Sequence, residues 1–310
     1  SSPAPIDTSR PAPEVPERAA SPATQALLDR VKRDFPASAH GMLVAGLRRL
    51  IDFQDLAYAT EYLDRMDKIR ALDAQHGGDT AAWALTGAMA HRLAVAMSYD
   101  DVIRVADLKT RGSRFERVRK EVGAKADQLV YTTEFMHPRL EEICGTLPAG
   151  LGRWLEQSKG IGGFVKRRME HGRRVQTGTL KWFLALYLLS GMRRFRRSTL
   201  RHQIEFAGIE QWVKRVTAAV SADYALAVEI AHCRRLVKGY SGTHARSGDR
   251  FARLMEAADR LLGQADAAPT LARLREAALA DEEGRQLEIQ MGQVIRGLTN
   301  PTSGFERKAA

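Results

Sequence analysis

Two Arg-bearing segments hold the side chains most suited to chemistry. In the first, Lys109, Arg111 and Arg114 surround Gly112 and Ser113. Guanidinium groups grip carboxylates and phosphates through paired N–H donors, so this set could clamp an anion. The competing reading is a solvated helix face, with Glu116 and Glu121 pairing against Lys120 and Lys125. The second segment runs from Lys238 to Asp249 and carries Lys238, Tyr240, Thr243, His244 and Arg246 among glycines. Such a loop suits anion or partner recognition, and a plain helix connection with Gly239 as its cap is the alternative.

Other chemical signals are weaker. Gly160-Ile-Gly-Gly163 follows no expected strand and lacks the phosphate-loop pattern, so it reads as a flexible turn. Cys144 and Cys233 belong to no C-x-x-C pair, which argues against a zinc or iron–sulfur site built within this chain. They read as reduced, buried thiols of a cytoplasmic protein. His232 beside Cys233 and His202 near Glu205 complete no metal shell. No serine sits in a G-x-S-x-G elbow, and no carboxylate pair stands out. No catalytic residue and no metal ligand is therefore assigned.

The elements that would position these groups are helical. Residues 1–23 hold six of the eleven prolines and read as an extended linker. From Thr24 the period changes. Leu47, Leu50, Ile51, Gln54, Tyr58, Tyr62, Met66 and Ile69 recur three and four apart, with Asp52, Asp55 and Asp64 mostly off that stripe. Ala81–Met97 reads as a buried helix capped by Asp79–Thr80, and Ser98 as the cap of a further helix running to Gly123. Residues 129–136 alone have strand-like chemistry. Further helices are expected over 139–145, 149–158, 179–195, 199–220, 222–238, 247–264, 269–280 and 283–297, and a tail over 301–310. The expected fold is all-α: a multi-helix bundle over 24–300, with any division into sub-bundles near residue 160, and at most one short β hairpin near 129–136.

Composition agrees with a folded chain. The 310 residues are 44% hydrophobic and 27% charged, with a net charge of +11. Nearly all the excess lies between Lys166 and Arg201, where eleven basic residues face the single acid Glu170. Without a nucleic-acid motif, and with the apolar run Trp182–Leu189 in its middle, this segment reads as a buried helix with charged ends set against an acidic partner. Leu180–Met192 is too short to span a bilayer, so no membrane association is expected.

Four ordered segments, read together, carry a resemblance. They are Arg48–Tyr58 with Tyr62–Arg65, Met97–Arg111, Thr133–Phe135 with Glu141–Cys144, and Leu236–Tyr240 with Thr243–Arg246. The set resembles the C-terminal helical region, a domain of unknown function, of the proteobacterial indolepyruvate ferredoxin oxidoreductase beta subunit and of fused 2-oxoacid:ferredoxin oxidoreductases. The resemblance covers roughly residues 40–265. One departure is Gly242, where the family's pattern often carries an acid before the threonine.

The resemblance implies a piece of a complex that oxidatively decarboxylates arylpyruvates with thiamine diphosphate, coenzyme A and iron–sulfur clusters, and passes electrons to ferredoxin or another acceptor. Those cofactor sites would lie on a partner subunit. A gamma-type α/β domain would precede the helical region, in agreement with a Pro-rich linker. No cofactor is expected in this segment, whose expected role is a non-catalytic scaffold or subunit-contact domain. Two alternatives are an anion module, in which Lys109, Arg111 and Arg114 meet Lys238, Tyr240, Thr243, His244 and Arg246 around a nucleotide, coenzyme A phosphate or substrate carboxylate, and a basic nucleic-acid-binding domain.

Overall fold

A computed structural model describes residues 13–299 except 124, 126–132, 137–138, 159, 170–172, 177–178, 238–241 and 282. The expected tail over 301–310 and most of the expected linker lie outside the described residues. The described chain is helical apart from one small sheet, as expected. It divides into two compact units. The first comprises the chain up to Ser98, Gln211–Val237 and the chain from Arg246; the second comprises Tyr99–Glu210 and Lys238–Ala245. Residue 160 lies inside the second unit, so the division falls elsewhere than the sequence suggested.

In the first unit, helix α1 (Pro22–Asp34) starts one or two residues before the expected end of the linker. Ser21 caps it and Pro22 needs no N–H at that position. Helices α2 (Ala37–Phe53) and α3 (Leu56–His76) share the sequence stripe, with Leu50, Tyr58, Tyr62 and Met66 fully buried. The stripe is nevertheless two helices. Asp55 accepts the Tyr58 amide at 2.8 Å and restarts the ladder, which periodicity could not reveal because the phase is kept.

Helix α4 (Ala84–Met97) packs on both α2 and α3. Tyr58 and Tyr62 donate their hydroxyls to the Met97 and Ala90 carbonyls, each at 2.7 Å, so the aromatic bodies fill the core without leaving a polar atom bare. A Cβ on Gly46 would stand 2.9 Å from the Tyr62 hydroxyl, and the missing side chain lets α2 and α4 approach. Asp79–Thr80 does not cap α4. It lies in a 3-10 turn, and the chain then passes through left-handed Ala82 and Trp83, where the indole N–H donates to Asp79 at 2.6 Å.

Asp73 is a fully buried carboxylate, but a satisfied one. It accepts from the Thr86 amide and hydroxyl at 2.8 and 2.6 Å and from the Tyr224 hydroxyl at 2.8 Å. These bonds tie α3 and α4 to α12 (Tyr224–Cys233), itself capped by Asp223. The 3-10 turn Arg234–Leu236 and helices α14 (Ala267–Ala280) and α15 (Arg285–Thr299) belong to this unit, together with the greater part of α13 (Gly242–Leu261) and the helical residues 211–220. The glycine-rich loop expected to reach Asp249 is thus helical from Gly242.

The second unit begins with α5 (Val102–Thr110), capped by Asp101, whose carboxylate accepts the Arg104 amide at 2.6 Å. Ser98 instead closes α4, bonding back to the Ala94 carbonyl at 2.8 Å. The long helix expected to Gly123 is interrupted at Arg111, and α6 (Gly112–Glu121) buries no side chain. Strand β1 (Thr133–Met136) forms where strand chemistry was read. Its antiparallel partner is β2 (Arg173–Gln176), with three helices between them, rather than an adjacent arm. Those helices are α7 (Leu140–Thr146), α8 (Ala149–Gln157) and α9 (Ile161–Met169).

The glycine cluster is therefore not a turn throughout. Gly162 lies in α9, where a Cβ would come within 2.5 Å of the Leu155 carbonyl, and the helices cross closely because it has none. Cys144, Ala149, Leu155 and Leu200 form a small buried cluster. Both cysteines are buried and free.

Helix α10 (Leu180–Gly191) corrects a further expectation. It packs on α5, but of its residues only Leu186 is fully buried. Leu180, Leu184, Tyr187 and Leu188 are between 52% and 81% exposed. Their spacing of four, three and one makes a single apolar stripe on the solvent side. Helix α11 (Leu200–Val220) follows after a 3-10 segment, Met192–Ser198.

Candidate functional site

A cleft of about 300 Å³ in the second unit gathers side chains from four elements. The start of α5 supplies Asp101, Val102 and Ile103, and the start of α7 supplies Arg139, Glu141 and Glu142. Thr199 and Arg201 come from the entry to α11, and His244 from the first turn of α13. Local chemistry sets each wall. Asp101 caps α5 and forms a two-point ion pair with Arg196, Nε–Oδ2 2.8 Å and Nη2–Oδ1 3.2 Å. Arg196 is 1% exposed, so this pair is a buried strut behind the cleft. The Leu200 amide donates to the Leu147 carbonyl at 3.0 Å, joining α11 to the chain between α7 and α8.

The chemical centre is Glu205, a carboxylate only 4% exposed. Arg201 lies 2.8 Å from its Oε1, and His244 Nε2 lies 3.0 Å from the same oxygen. Neither atom meets hydrogen-bond geometry in that contact, so the histidine and the carboxylate are held as a close electrostatic pair. A histidine oriented by a buried carboxylate can exchange protons with a bound group, and Arg201 beside it can hold a carboxylate or phosphate oxygen. Thr199 and Thr146 are turned to structural work, donating to the Arg196 and Glu142 carbonyls at 2.7 and 2.8 Å. Cys144, on the inner face of α7, is fully buried, and burial raises its thiol pKa, so it is no thiolate at neutral pH. Among the described residues no group of three His, Cys, Asp or Glu could hold a metal ion.

The anion-site residues read from sequence distribute themselves differently. Lys109 and Arg111 stand at the far end of α5, about 12–15 Å along it from Asp101, Arg114 lies in the first turn of α6, and none lines the cleft. Arg111 pairs with Asp107 at 2.5 Å, and Arg114 donates to the Lys109 carbonyl at 3.3 Å. Lys109 is half-buried, and burial followed by the neighbouring Arg114 lowers its pKa. Lys238 and Tyr240 lie outside the described residues. Thr243 falls in the first turn of α13, with its side chain outside the description. His244 is in the cleft, whereas Arg246 is exposed and lines a separate groove of the first unit with Asp249 and Arg253.

Sequence reasoning missed Glu205, Arg201 and Arg139. The Arg201–Glu205 spacing of four was a readable pair. Nothing local marked it as the partner of a histidine from α13. Three of the four segments that carry the resemblance nonetheless contribute to this cleft: Met97–Arg111, Glu141–Cys144 and Thr243–Arg246.

A family model described as a family of unknown function (DUF6537) matches residues 39–257. No curated protein and no solved structure matches the chain.

Proposed function

The chain belongs to the family of unknown function DUF6537, and we propose that it serves as a non-catalytic helical scaffold and subunit-contact domain. The complex we propose for it is an indolepyruvate-type 2-oxoacid:ferredoxin oxidoreductase. The observation that carries the contact role is the apolar stripe of α10. Leu180, Leu184, Tyr187 and Leu188 present one continuous face to solvent, and burying one such leucine against a partner contributes about 1.5–3 kcal/mol. Exposed Lys181, Arg194 and Arg197 sit at the two ends of that helix, which favours a partner with an acidic rim. The identity of the complex, and the placing of thiamine diphosphate, coenzyme A and iron–sulfur clusters on its other subunit, rest on the four-segment resemblance.

The test is arylpyruvate-dependent dye reduction with thiamine diphosphate and coenzyme A. The chain alone is expected to give no turnover, and the chain with the cofactor-bearing subunit to restore it. Turnover by the chain alone refutes the proposal. A second reading, recognition of a small acid, is supported by Arg201 and the His244–Glu205 pair in the cleft. Calorimetric titration with arylpyruvates separates it from a purely structural role.

A further inference from the structure

The first unit contains a cluster of cations that the contact role does not use. Helix α12 packs on α4 and on α14, and the 3-10 turn after α12 packs on all three helices. The side chains that act on one another electrostatically there are Arg92 of α4, His232 of α12, Arg235 of the 3-10 turn and Arg275 of α14. The carboxylates there are committed to one guanidinium. Glu229 and Glu276 lie 3.1 and 2.5 Å from Arg275. Arg235 makes no ion pair among the described residues.

Arg92 is the more unusual group. Its Nε is buried without a hydrogen-bond partner, and the charges acting on it are two cations, Arg235 and Arg275. Burial first, and then those two guanidinium groups, bring its pKa down to about 10. Burial also lowers the pKa of His232, with Glu229 opposing and the three arginines adding to the shift. A half-buried guanidinium facing two others costs free energy in the empty protein, and an anion seated between them reverses the sign.

We propose that Arg92 and Arg235, backed by the Glu229-anchored Arg275, form a binding site for a phosphoryl dianion. Two positive charges without carboxylates match one doubly charged group. Planar guanidinium forks suit its tetrahedral oxygens better than they suit a lone halide. Arg275, held by Glu229, adds potential without having to move, and His232 as neutral imidazole can donate one further N–H. Such a group could be free phosphate or the monoester end of a larger ligand, and the chemistry of the site is the same for both.

The test uses the full chain at constant ionic strength, with chloride replaced by inorganic phosphate in one arm and by adenosine 3′,5′-bisphosphate in the other. Binding is read by calorimetry and by the rise in Tm. Phosphate is expected to bind and to raise Tm. Arg92→Gln and Arg235→Gln are each expected to weaken binding about ten-fold or more, as loss of a charge-assisted hydrogen bond implies. Arg260→Gln removes one exposed positive charge elsewhere on the unit and is expected to bind as the parent does. A monoester that binds ten-fold tighter than phosphate assigns the site to a larger ligand, and equal affinities assign it to the free ion. Circular dichroism confirms that each variant is folded. Should Arg92→Gln fail to fold, Arg235→Gln, at a half-buried position outside the long helices, decides the question alone. Equal binding by parent and Arg235→Gln, or no binding beyond that of chloride, overturns the proposal.

Discussion

Removal of the Arg196 guanidinium is expected to leave a carboxylate stranded inside the second unit. Asp101 is 6% exposed and Arg196 1%. Their two contacts at 2.8 and 3.2 Å are the only ion pairing that Asp101 makes among the described residues. Breaking a buried pair from one side costs about 3–5 kcal/mol, because the remaining charge loses both water and partner. Arg196→Met should therefore destabilise this unit by that amount. Asp101→Ala should cost as much and about 1 kcal/mol more, since the same carboxylate caps α5 through the Arg104 amide. The double variant Asp101→Asn with Arg196→Met strands no charge and keeps the capping oxygen. Its cost should fall short of the summed single costs of Asp101→Asn and Arg196→Met by at least about 1.5 kcal/mol. Native-state hydrogen exchange of the Val102–Thr110 amides reads this unit without interference from the first. Additivity within about 0.5 kcal/mol, or single costs below about 1 kcal/mol, would refute the reasoning.

Further outcomes follow from other parts of the structure. Gly46→Ala forces a Cβ to within 2.9 Å of the Tyr62 hydroxyl and should cost about 1–3 kcal/mol in urea denaturation; a neutral effect would mean that α2 and α4 separate easily. Cys233 is fully buried, and burial raises its thiol pKa from 9 to about 12. A folded-state pKa above the unfolded one means that the unfolded chain loses its proton first. Stability conferred by the neutral thiol is thus complete below pH 9 and is lost between pH 9 and about 12, at up to about 1.4 kcal/mol per pH unit. Cys233→Ala should flatten urea midpoints over the lower part of that window, before tyrosines begin to titrate. Glu205→Gln keeps the shape of the cleft but removes the charge between Arg201 and His244. The ring chemical shifts of His244 at fixed pH, followed by NMR, should move in that variant; unchanged shifts would contradict the pairing.

Much of the fold was legible because local chemistry repeats it. The stripe from Leu47 to Ile69 named the buried face, and Leu50, Tyr58, Tyr62 and Met66 all lie in the core. The break at Gln54–Asp55 was not legible, since the second helix resumes in phase with the first. The end of α4 was misassigned because Ser98 can bond forward as a cap or backward to Ala94, and the structure uses the second. Gly162 and Gly242 were read as loop formers; both stand in helices, and Gly162 is there for close approach rather than for flexibility. The exposure of α10 was invisible for a different reason. An apolar run reports that a face prefers burial, and only the tertiary structure tells whether this chain supplies the cover. The cleft lay furthest from view. Glu205, Arg139 and His244 are brought together by chain reversals that no local pattern encodes, whereas the Lys109–Arg114 cluster was conspicuous and stands elsewhere.

The central claim is that α10 is the face on which another subunit is carried. Size-exclusion chromatography with light scattering on mixtures of this chain and the thiamine- and cluster-bearing subunit tests it most directly. The account predicts a stable complex with the parent chain, and its loss in Leu184→Glu with Leu188→Glu, a variant whose own unfolding free energy in urea stays within about 0.5 kcal/mol of the parent because both side chains already face solvent. A complex that forms equally well with this variant would contradict it.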